Sequence, residues 1–523
     1  MARVVALVMV LSAAGVAALP ALGGQVGEVT QYGITWKFDR PVEAGQFVTG
    51  DWWVVGPVTV VSISPAPGPA PEAAKVNIKK GRWGDTSLRN DTRMRNGSMV
   101  VLKAGGRQGY DSRSSTYDPA LSVKLPLTLA PNRSLISTVS HTSLPVDNFA
   151  NKILWPSEKK CQCALKAAAV LTCLAAAPPE DAFRPPYAGT DKPIYRAKDL
   201  RWNLLLSLKA PAIEKKDKWP SGSYKLNVPD DWDQMARYFQ RPWLEHLSSW
   251  AQQELNPTEN QPNYGREHAR LVSIASLMLH LDAPKEKKEK LLVGLVQYGI
   301  DISGAARVGA NWNWGGGHTS GRKWPVVFAS LMLGKPELRT LPASAVFHED
   351  SQTYYGTGWF GQTALWQMIT HHGPRQPYEE KPPEQWERWD KTSEGYRCCC
   401  NAVAWVGTAL AARMMKAVKV WDHDAFFDYC DRWMREDDPY AKDRGGHARP
   451  KQETDTFDPF VTRMWRAYRK TAPEQAMAGN PRKWVWQGRT AGWVPNPKPT
   501  AEAVAAHVAA VRKAAREPGG RGQ

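Results

Sequence analysis

The sequence predicts an α+β multidomain protein in which an N-terminal antiparallel β-sandwich precedes an all-α domain. Two observations predict this order. Up to about residue 177 the chain is rich in alternating, β-branched and aromatic residues, whereas beyond residue 231 the apolar residues recur at helical spacing. The length of 523 residues also exceeds one ordinary hydrophobic core, so two domains with linkers and tails are expected.

The first 23 residues have the pattern of a signal peptide. Arg3 precedes an apolar run from Val4 to Leu19, and small residues follow up to Gly23. The run is short for a membrane span, and no later segment of the sequence is long and apolar enough to cross a bilayer. We therefore expect cleavage near Gly23 and a secreted or periplasmic protein without an integral membrane segment.

Residues 27–177 are expected to form the β-sandwich domain. The segment from Tyr32 to Phe38 alternates, and residues 46–64 are rich in valine, threonine and tryptophan punctuated by glycine and proline. Residues 167–174 fit a helix or a strand, and we assign a strand because Pro178 and Pro179 follow closely. Residues 178–230 then form a linker and interdomain segment.

From residue 231 to 470 the pattern predicts successive helices joined by long polar loops, which resembles an (α/α) toroid, a ring of inner and outer helices. The last segment, 471–523, is predicted to be a basic tail, partly disordered, with a short helix over 501–515. The helices are predicted at residues 231–255, 265–281, 286–302, 323–333, 358–371, 401–418, 424–435 and 458–469.

The net charge of +17 favours an anionic partner. Residues 471–523 contain eight Lys/Arg and three Asp/Glu, a charge of +5, which leaves +12 for the rest of the chain. For an exported protein this favours an acidic polysaccharide over nucleic acid, with a merely solubilising surface as the alternative. The 24 tryptophans could stack on sugar rings or could pack in a helical core.

The seven cysteines do not have zinc-site spacing. Cys161 and Cys163 alternate, Cys398 to Cys400 are consecutive, and the total is odd. One or two disulfides with some buried thiols are expected, with the pairing left open, and no metal and no cofactor is predicted.

The segment from Asn311 to Arg322, here called the glycine loop, has the composition of a binding site. It reads Asn-Trp-Asn-Trp-Gly-Gly-Gly-His-Thr-Ser-Gly-Arg and precedes a predicted helix with Pro325 in its first turn and Gly334 after its end. Consecutive glycines allow a close approach to a ligand, and a helix N-terminus favours an anion. The candidate residues here are Asn311, Asn313, Trp314, His318 and Arg322.

Other polar groups accompany the predicted helices. Tyr264 and His268 are four residues apart and share a helix face, and two adjacent tyrosines precede a predicted helix. Each of these residues also fits ordinary core packing. Tyr298, in the helix predicted at 286–302, is a further candidate, and packing is the favoured interpretation for it. The candidates outside the glycine loop are Tyr264, His268, Tyr298, Tyr354, Tyr355, Trp359 and Arg397.

Repeated Asn, His, Tyr and Arg side chains match the demands of β-elimination from a uronic acid polymer. The enzyme removes the weakly acidic proton at C5, beside the carboxylate, while the oxygen at C4 leaves. Asn, His or Arg donors neutralise the charge that develops on the carboxylate. A tyrosine or histidine acts as the base, and a tyrosine can protonate the leaving oxygen.

The glycine loop with Lys323, together with the Tyr396-Arg-Cys-Cys segment, resembles the α/α-toroid polysaccharide lyases of the alginate and glucuronan type, over roughly residues 231–469. This resemblance implies a neutralising role for Asn313, His318 and Arg322. It leaves the catalytic tyrosine open among Tyr264, Tyr298, Tyr354 and Tyr355. In many such lyases the β domain follows the toroid, whereas here it precedes it.

Two other functions are compatible with the sequence. A glycoside hydrolase on the same scaffold needs two opposed carboxylates, and a non-catalytic glycan-binding surface protein needs only the tryptophans and the positive charge. The carboxylates placed to serve a hydrolase are Asp231, Asp233, Glu267, Asp301, Glu349 and Asp350.

Overall fold

A computed structural model describes a curled β-sheet followed by a helical region. The predicted signal peptide, Trp314 and most of the predicted tail lie outside the described residues. The structure describes residues 24–69, 94–142, 144, 146–148, 160–212, 231–249, 251–313, 316–368, 378–435, 456–472, 484–486, 493–495 and 499–514.

The main sheet has the strand order β7-β9-β12-β3-β2-β4-β8, with β1 paired to β2. β12 runs parallel to β3, with Leu171 opposite Trp52, and the other pairs are antiparallel. The strands of the sheet are β1 (Gly24–Gln31), β2 (Ile34–Gln46), β3 (Trp52–Val55), β4 (Val58–Ser64), β7 (Ser98–Val100), β8 (Leu127–Leu129), β9 (Arg133–Ser140) and β12 (Leu165–Leu174). Short two-stranded ladders join β5 (Gly68–Pro69) with β6 (Met94–Arg95), and β10 (Val146–Asp147) with β11 (Lys160–Cys161).

The predicted antiparallel β-sandwich is wrong, because the strands form one curled mixed sheet, a half-barrel. Alternating apolar residues show that each face of a strand has a distinct environment, but they do not identify which strand pairs with which. The strand predicted at 167–174 is confirmed as β12. Its side chains are buried on both faces apart from Lys166, which explains its nearly continuous apolar sequence.

The two faces of the sheet contribute to different cores. Trp36, Val54 and Leu171 pack in a cluster formed by the sheet alone. Ile136 and Val170 belong to a larger cluster that also contains the helices. The helical region therefore covers the face that a second sheet would cover in a sandwich.

The helices pack mainly in neighbouring pairs: α4 lies between α1 and α5, and α3 packs along α8. The described helices are α1 (Trp232–Gln240), α2 (Ala251–Glu254), α3 (Gly265–Leu279), α4 (Lys285–Arg307), α5 (Lys323–Leu333), α6 (His348–Gln352), α7 (Arg388–Tyr396), α8 (Ala402–Met414), α9 (Val418–Trp421), α10 (Asp424–Arg435), α11 (Pro459–Tyr468) and α12 (Ala501–Ala514). A π-helical turn, Arg397–Asn401, joins α7 to α8.

The helical region is not a clear all-α toroid, and that part of the fold prediction is also wrong. The helix predicted over 231–255 ends at Gln240, just before Pro242. The helix predicted over 358–371 contains instead β14 (Ala364–Trp366), which pairs with β13 (Thr353–Tyr355). Gly361, at a φ of 85°, turns the chain there, a conformation incompatible with a right-handed helix. A further ladder joins β15 (Trp484–Trp486) and β16 (Trp493–Pro495).

A buried ion triad joins the sheet to the helices. Arg184 donates to Asp51, after β2, at 2.6 Å and to both carboxylate oxygens of Asp301, on α4, at 2.8 and 2.6 Å. All three side chains are almost fully buried. Arg184 therefore divides one positive charge between two buried carboxylates, and burial raises the pKa of Asp301 above its ordinary value.

One disulfide is present among the described residues, between Cys161 and Cys163, in agreement with the expectation of one or two. In the described part of the chain, every helix is too short or too polar to span a bilayer.

Gly299 sets the close approach of α4 to α5. A methyl group there would collide with the carbonyl oxygen of Pro325 and the side chain of Ala329. We expect Gly299→Ala to lower the free energy of unfolding by about 1–3 kcal/mol, as overpacking does, measured by urea denaturation. Gly395→Ala on α7 is the control, because a methyl group at Gly395 meets no atom within 4 Å. Equal stability of the two variants would contradict this account of the packing.

Candidate functional site

The glycine loop connects α4 to α5, and its glycines make close contacts with other segments of the chain. Gly316, at a φ of 66°, lies against the ring of Tyr396. A methyl group added at Gly317 would collide with Cys400 and the Tyr264 hydroxyl. The sequence suggested that these glycines allow the approach of a ligand, whereas in the fold they also allow the loop to seat against α3 and the π-helical turn.

His318, half-buried on this loop, contacts the side chain of Tyr264. Their ring centroids are 5.0 Å apart at an interplanar angle of 79°, an edge-on arrangement. Nδ1 of His318 lies 2.6 Å from the side-chain amide nitrogen of Gln253, on α2. The structure therefore unites two of the predicted catalytic residues and adds a partner that the sequence did not indicate.

Tyr264 is a proton donor at neutral pH. Burial raises the pKa of its phenol well above the ordinary value, and Cys400 and Cys399 add to this, while Arg266 opposes it. The guanidinium of Arg266 lies 5.4 Å from the centre of the Tyr264 ring. The backbone N–H of Gly317 donates to the Tyr264 hydroxyl at 2.9 Å, which fixes the position of the oxygen.

Behind the loop lies a fully buried cluster centred on Glu245, here called the Glu245 network. Arg322 donates to both oxygens of this carboxylate, from Nε at 3.0 Å and from Nη2 at 3.2 Å. Three further donors complete the network, namely Gln252 Nε2 at 2.7 Å, Tyr298 Oη at 3.0 Å and Trp312 Nε1 at 3.2 Å. Burial alone would raise the pKa of Glu245, but Arg322 and His268 outweigh it and hold that pKa well below its usual range.

Three of the predicted site residues, Arg322, Tyr298 and His268, direct their side chains into the Glu245 network and away from the surface of the glycine loop. Arg322 also donates to the Ser320 carbonyl at 2.6 Å, so its guanidinium holds the loop in place. Tyr298 is buried in the core, and its hydroxyl donates to Glu245, a partner that the packing interpretation did not include. Nδ1 of His268 lies 3.4 Å from the same carboxylate, and its Nε2 donates to the Pro262 carbonyl at 2.7 Å. His268 and Tyr264 therefore face different partners.

Asn311 and Asn313 lie at the start of the glycine loop. The backbone N–H of Asn313 donates to the side-chain oxygen of Asn311 at 3.2 Å, and the Asn311 amide group donates to the carbonyl of Ser344. Asn313 is almost fully buried. Both residues therefore stabilise the entry to the loop, and Trp314 lies outside the described residues.

The remaining candidates lie in a second neighbourhood, around β13, β14 and α10. The Tyr355 hydroxyl donates to Asp428 at 2.8 Å. Arg397 donates to both oxygens of Glu394 at 2.7 Å. Tyr354 is buried, and Trp359 lies edge-on to His507 of α12, with 6.5 Å between ring centroids. None of their contacts described here involves His318.

The N-terminus of α5 is buried, although the sequence suggested an anion site there. Lys323 and Trp324 in its first turn are buried, and the Lys323 ammonium pairs with Asp350. Trp421 Nε1 donates to the other oxygen of Asp350 at 2.9 Å. The cation of the first turn is thus neutralised by an internal carboxylate, and the first turn is buried where an external anion would have to approach.

The carboxylates considered for a hydrolase mostly bind cations of the protein. Glu267 accepts from Arg266 at 2.5 Å and from Arg270 at 2.7 Å, and Asp301 and Asp350 are paired as described. Asp233 lies on the exposed side of α1, 3.3 Å from Lys290. Glu349 differs, because burial raises its pKa to about 7 and its Oε2 has no hydrogen-bond partner among the described residues. Its Oε1 accepts from the backbone of Gly321 at 2.6 Å.

Sequence reasoning missed Glu245 and Gln253, and it assigned no role to Arg266 or Tyr396, although Tyr396 belongs to the segment that carries the resemblance. Glu245 and Gln253 lie in a stretch without glycines that was predicted to be a single helix, so no local signal distinguished them from its other polar residues. Arg266 and Tyr396 stood beside residues that were named, and their adjacency to Tyr264 and Arg397 was the available signal. Within the described ranges, no three His, Cys, Asp or Glu residues are grouped to hold a metal ion.

Comparisons with family models, with curated proteins and with solved structures gave no match to this chain.

The Glu245 network makes a stability prediction. Glu245→Gln keeps the shape but removes the charge that compensates Arg322, so we expect a loss of about 3–5 kcal/mol in unfolding free energy at pH 7. Because the folded pKa of Glu245 is lowered, its contribution is present above the unfolded value of about 4.3 and is lost as pH falls below it. The difference between wild type and variant should therefore shrink in acid.

Urea denaturation from pH 7 down to pH 3 measures this difference. Glu289→Gln, at an exposed position of α4, is the matched control and should be nearly neutral. A destabilisation by Glu245→Gln that stays constant over the whole pH range would show that the charge of Glu245 is not its source.

Proposed function

We propose that the protein is a secreted polysaccharide lyase that cleaves a uronic-acid-containing polymer by β-elimination. The observation that carries this proposal is the contact between His318 and Tyr264, with ring centroids 5.0 Å apart and both side chains half-buried at the glycine loop. One ring can accept a proton and the other can donate one, and β-elimination needs both within a single sugar unit.

The roles follow from the electrostatics of the pair. Since the pKa of Tyr264 is raised by burial, its phenol is protonated at neutral pH and is suited to protonate the leaving oxygen at C4. His318 then takes the C5 proton. The C5–H bond breaks, its electron pair forms the C4=C5 double bond, and the C4–O bond breaks as Tyr264 donates its proton.

The substrate carboxylate needs donors, because negative charge develops on it as the C5 proton leaves. Arg266 lies beside the Tyr264 ring and is the candidate donor, although it shares its charge with Glu267. Arg322 serves the site indirectly, since its guanidinium is fully buried against Glu245. The overall charge of +17 favours attraction of a polyanion.

Three of the six candidate carboxylates argue against a glycoside hydrolase, whereas Glu349, whose pKa burial raises to about 7, does not. Glu267, Asp301 and Asp350 are each committed to arginine or lysine partners. A hydrolase needs two carboxyl groups that flank the scissile bond. The glycan-binding alternative requires no proton donor and acceptor in contact, so it gives no role to the His318–Tyr264 pair.

Cleavage of uronate polymers tests the proposal directly. Incubation with alginate, glucuronan and related polymers should give unsaturated products that absorb in the ultraviolet. We expect His318→Ala and Tyr264→Phe each to lower kcat by at least about 100-fold, the range of general acid–base catalysis. Tyr468→Phe is the control and should retain activity, because the Tyr468 hydroxyl binds the Lys209 carbonyl near the end of α3 that is opposite to Tyr264.

The other functions predict different products. Reducing ends without ultraviolet absorbance would identify a hydrolase, and binding without cleavage would identify a glycan-binding protein. Full activity of His318→Ala would remove His318 from the mechanism.

The pH profile tests the role of Tyr264 separately. An acid must be protonated, and a raised pKa keeps Tyr264 protonated to a higher pH than an ordinary tyrosine of about 10. In the profile of kcat against pH, ionisation of Tyr264 should therefore lower activity only above about pH 10. An alkaline decline below that pH that disappears in Tyr264→Phe would contradict this assignment.

A further inference from the structure

We infer that Gln253 is a positioning residue that sets the tautomer of His318, an inference that rests on the proposed function for its catalytic meaning. The side-chain amide of Gln253 lies 2.6 Å from Nδ1 of His318. A neutral imidazole carries its proton on one nitrogen only, so the partner of Nδ1 decides whether Nε2 is a donor or a base.

The amide end of glutamine has a donor and an acceptor of almost the same shape. A rotation of 180° about the last side-chain bond exchanges them and leaves the hydrogen-bond distance unchanged. With the amide nitrogen toward Nδ1, the ring proton is on Nε2, which then donates. With the amide oxygen toward Nδ1, the ring proton is on Nδ1, and Nε2 has the lone pair that a base requires.

Gln253 is well placed for this role because α2 is anchored on both sides of it. The preceding residue, Gln252, donates to Glu245 at 2.7 Å. The following residue, Glu254, accepts from the Ser114 hydroxyl at 2.6 Å, and its carbonyl accepts from the backbone of Ala164 at 2.6 Å. The backbone of Gln253 is therefore fixed between the Glu245 network and the sheet region, and the amide has a constrained path to His318.

The pairing gives His318 two restraints of different kinds. The edge contact with Tyr264 sets the tilt of the imidazole, and the contact with Gln253 sets the rotation of its ring and the location of its proton. The structure has the amide nitrogen of Gln253 toward Nδ1, so the productive state of the proposed elimination requires the rotated amide, with its oxygen on Nδ1 and the lone pair of Nε2 directed at the C5 proton. Gln253 itself does not touch the reacting atoms.

Nitrogen-15 NMR of the histidines in the full chain tests this inference without any substrate. The His318 signals are assigned by their loss in His318→Gln. We expect the proton on Nδ1 in the wild type at neutral pH and in Gln253→Glu, whose carboxylate only accepts. In Gln253→Met, which has a similar shape but no amide, the proton should move to Nε2. A wild-type proton on Nε2, or no change in Gln253→Met, would overturn the inference.

Kinetics provide a second readout that a purely structural role would not produce. Gln253→Met should lower kcat about tenfold or more with little change in KM, as loss of an orienting partner does. Gln253→Glu should keep most of kcat and move the acidic limb of the pH profile upward, because a carboxylate favours the imidazolium. Gln46→Met, at a remote turn, is the control and should leave both values unchanged.

The two proposals fail in different ways. If no uronate polymer is cleaved by the wild type or any variant, the proposed function is wrong, and the NMR result still decides whether Gln253 sets the tautomer. If cleavage occurs but Gln253→Met has the kcat, the pH profile and the tautomer of the wild type, the inference about Gln253 is wrong and the lyase proposal stands.

Discussion

The buried Glu245 carboxylate is the interaction on which the arrangement of the site depends. Its donors come from α2, α4 and both ends of the glycine loop, so one anion fixes several segments relative to one another. Arg322 also donates to the carbonyl of Ser320, so the Glu245 network restrains the loop two residues from His318. A buried ion pair costs much desolvation energy, and its benefit here is a defined position for the loop more than added stability.

Local periodicity predicted local structure well. The helices at α5 and α10 have the predicted bounds, and β12 is the predicted strand. The sandwich and the toroid were wrong because they concern which elements pair, and alternation or helical spacing contains no information about partners distant in sequence. The β13–β14 hairpin was missed for a related reason, since short apolar runs around glycines fit a helix or a strand equally.

The candidate site was predictable in composition but not in roles. His318 and Tyr264 were named from polar residues near glycines, and their contact joins positions far apart in the chain. The sequence around an arginine at a glycine-rich loop does not show whether its side chain faces solvent or a buried carboxylate. Glu245, which buries the charge of Arg322, lies in a stretch without a motif, so the burial of Arg322 could not be predicted from the sequence.

The close packing of the glycine loop changes how the loop can act on a carboxylate. A loop seated against Tyr396 and Cys400 is held in one geometry, and such pre-organised groups act on charge developing in a reaction without reorganising. The positive charge of Arg322, however, is cancelled by Glu245. Arg266 is likewise buried and paired with Glu267, so the fixed geometry of the loop, more than free positive charge, distinguishes the surroundings of His318.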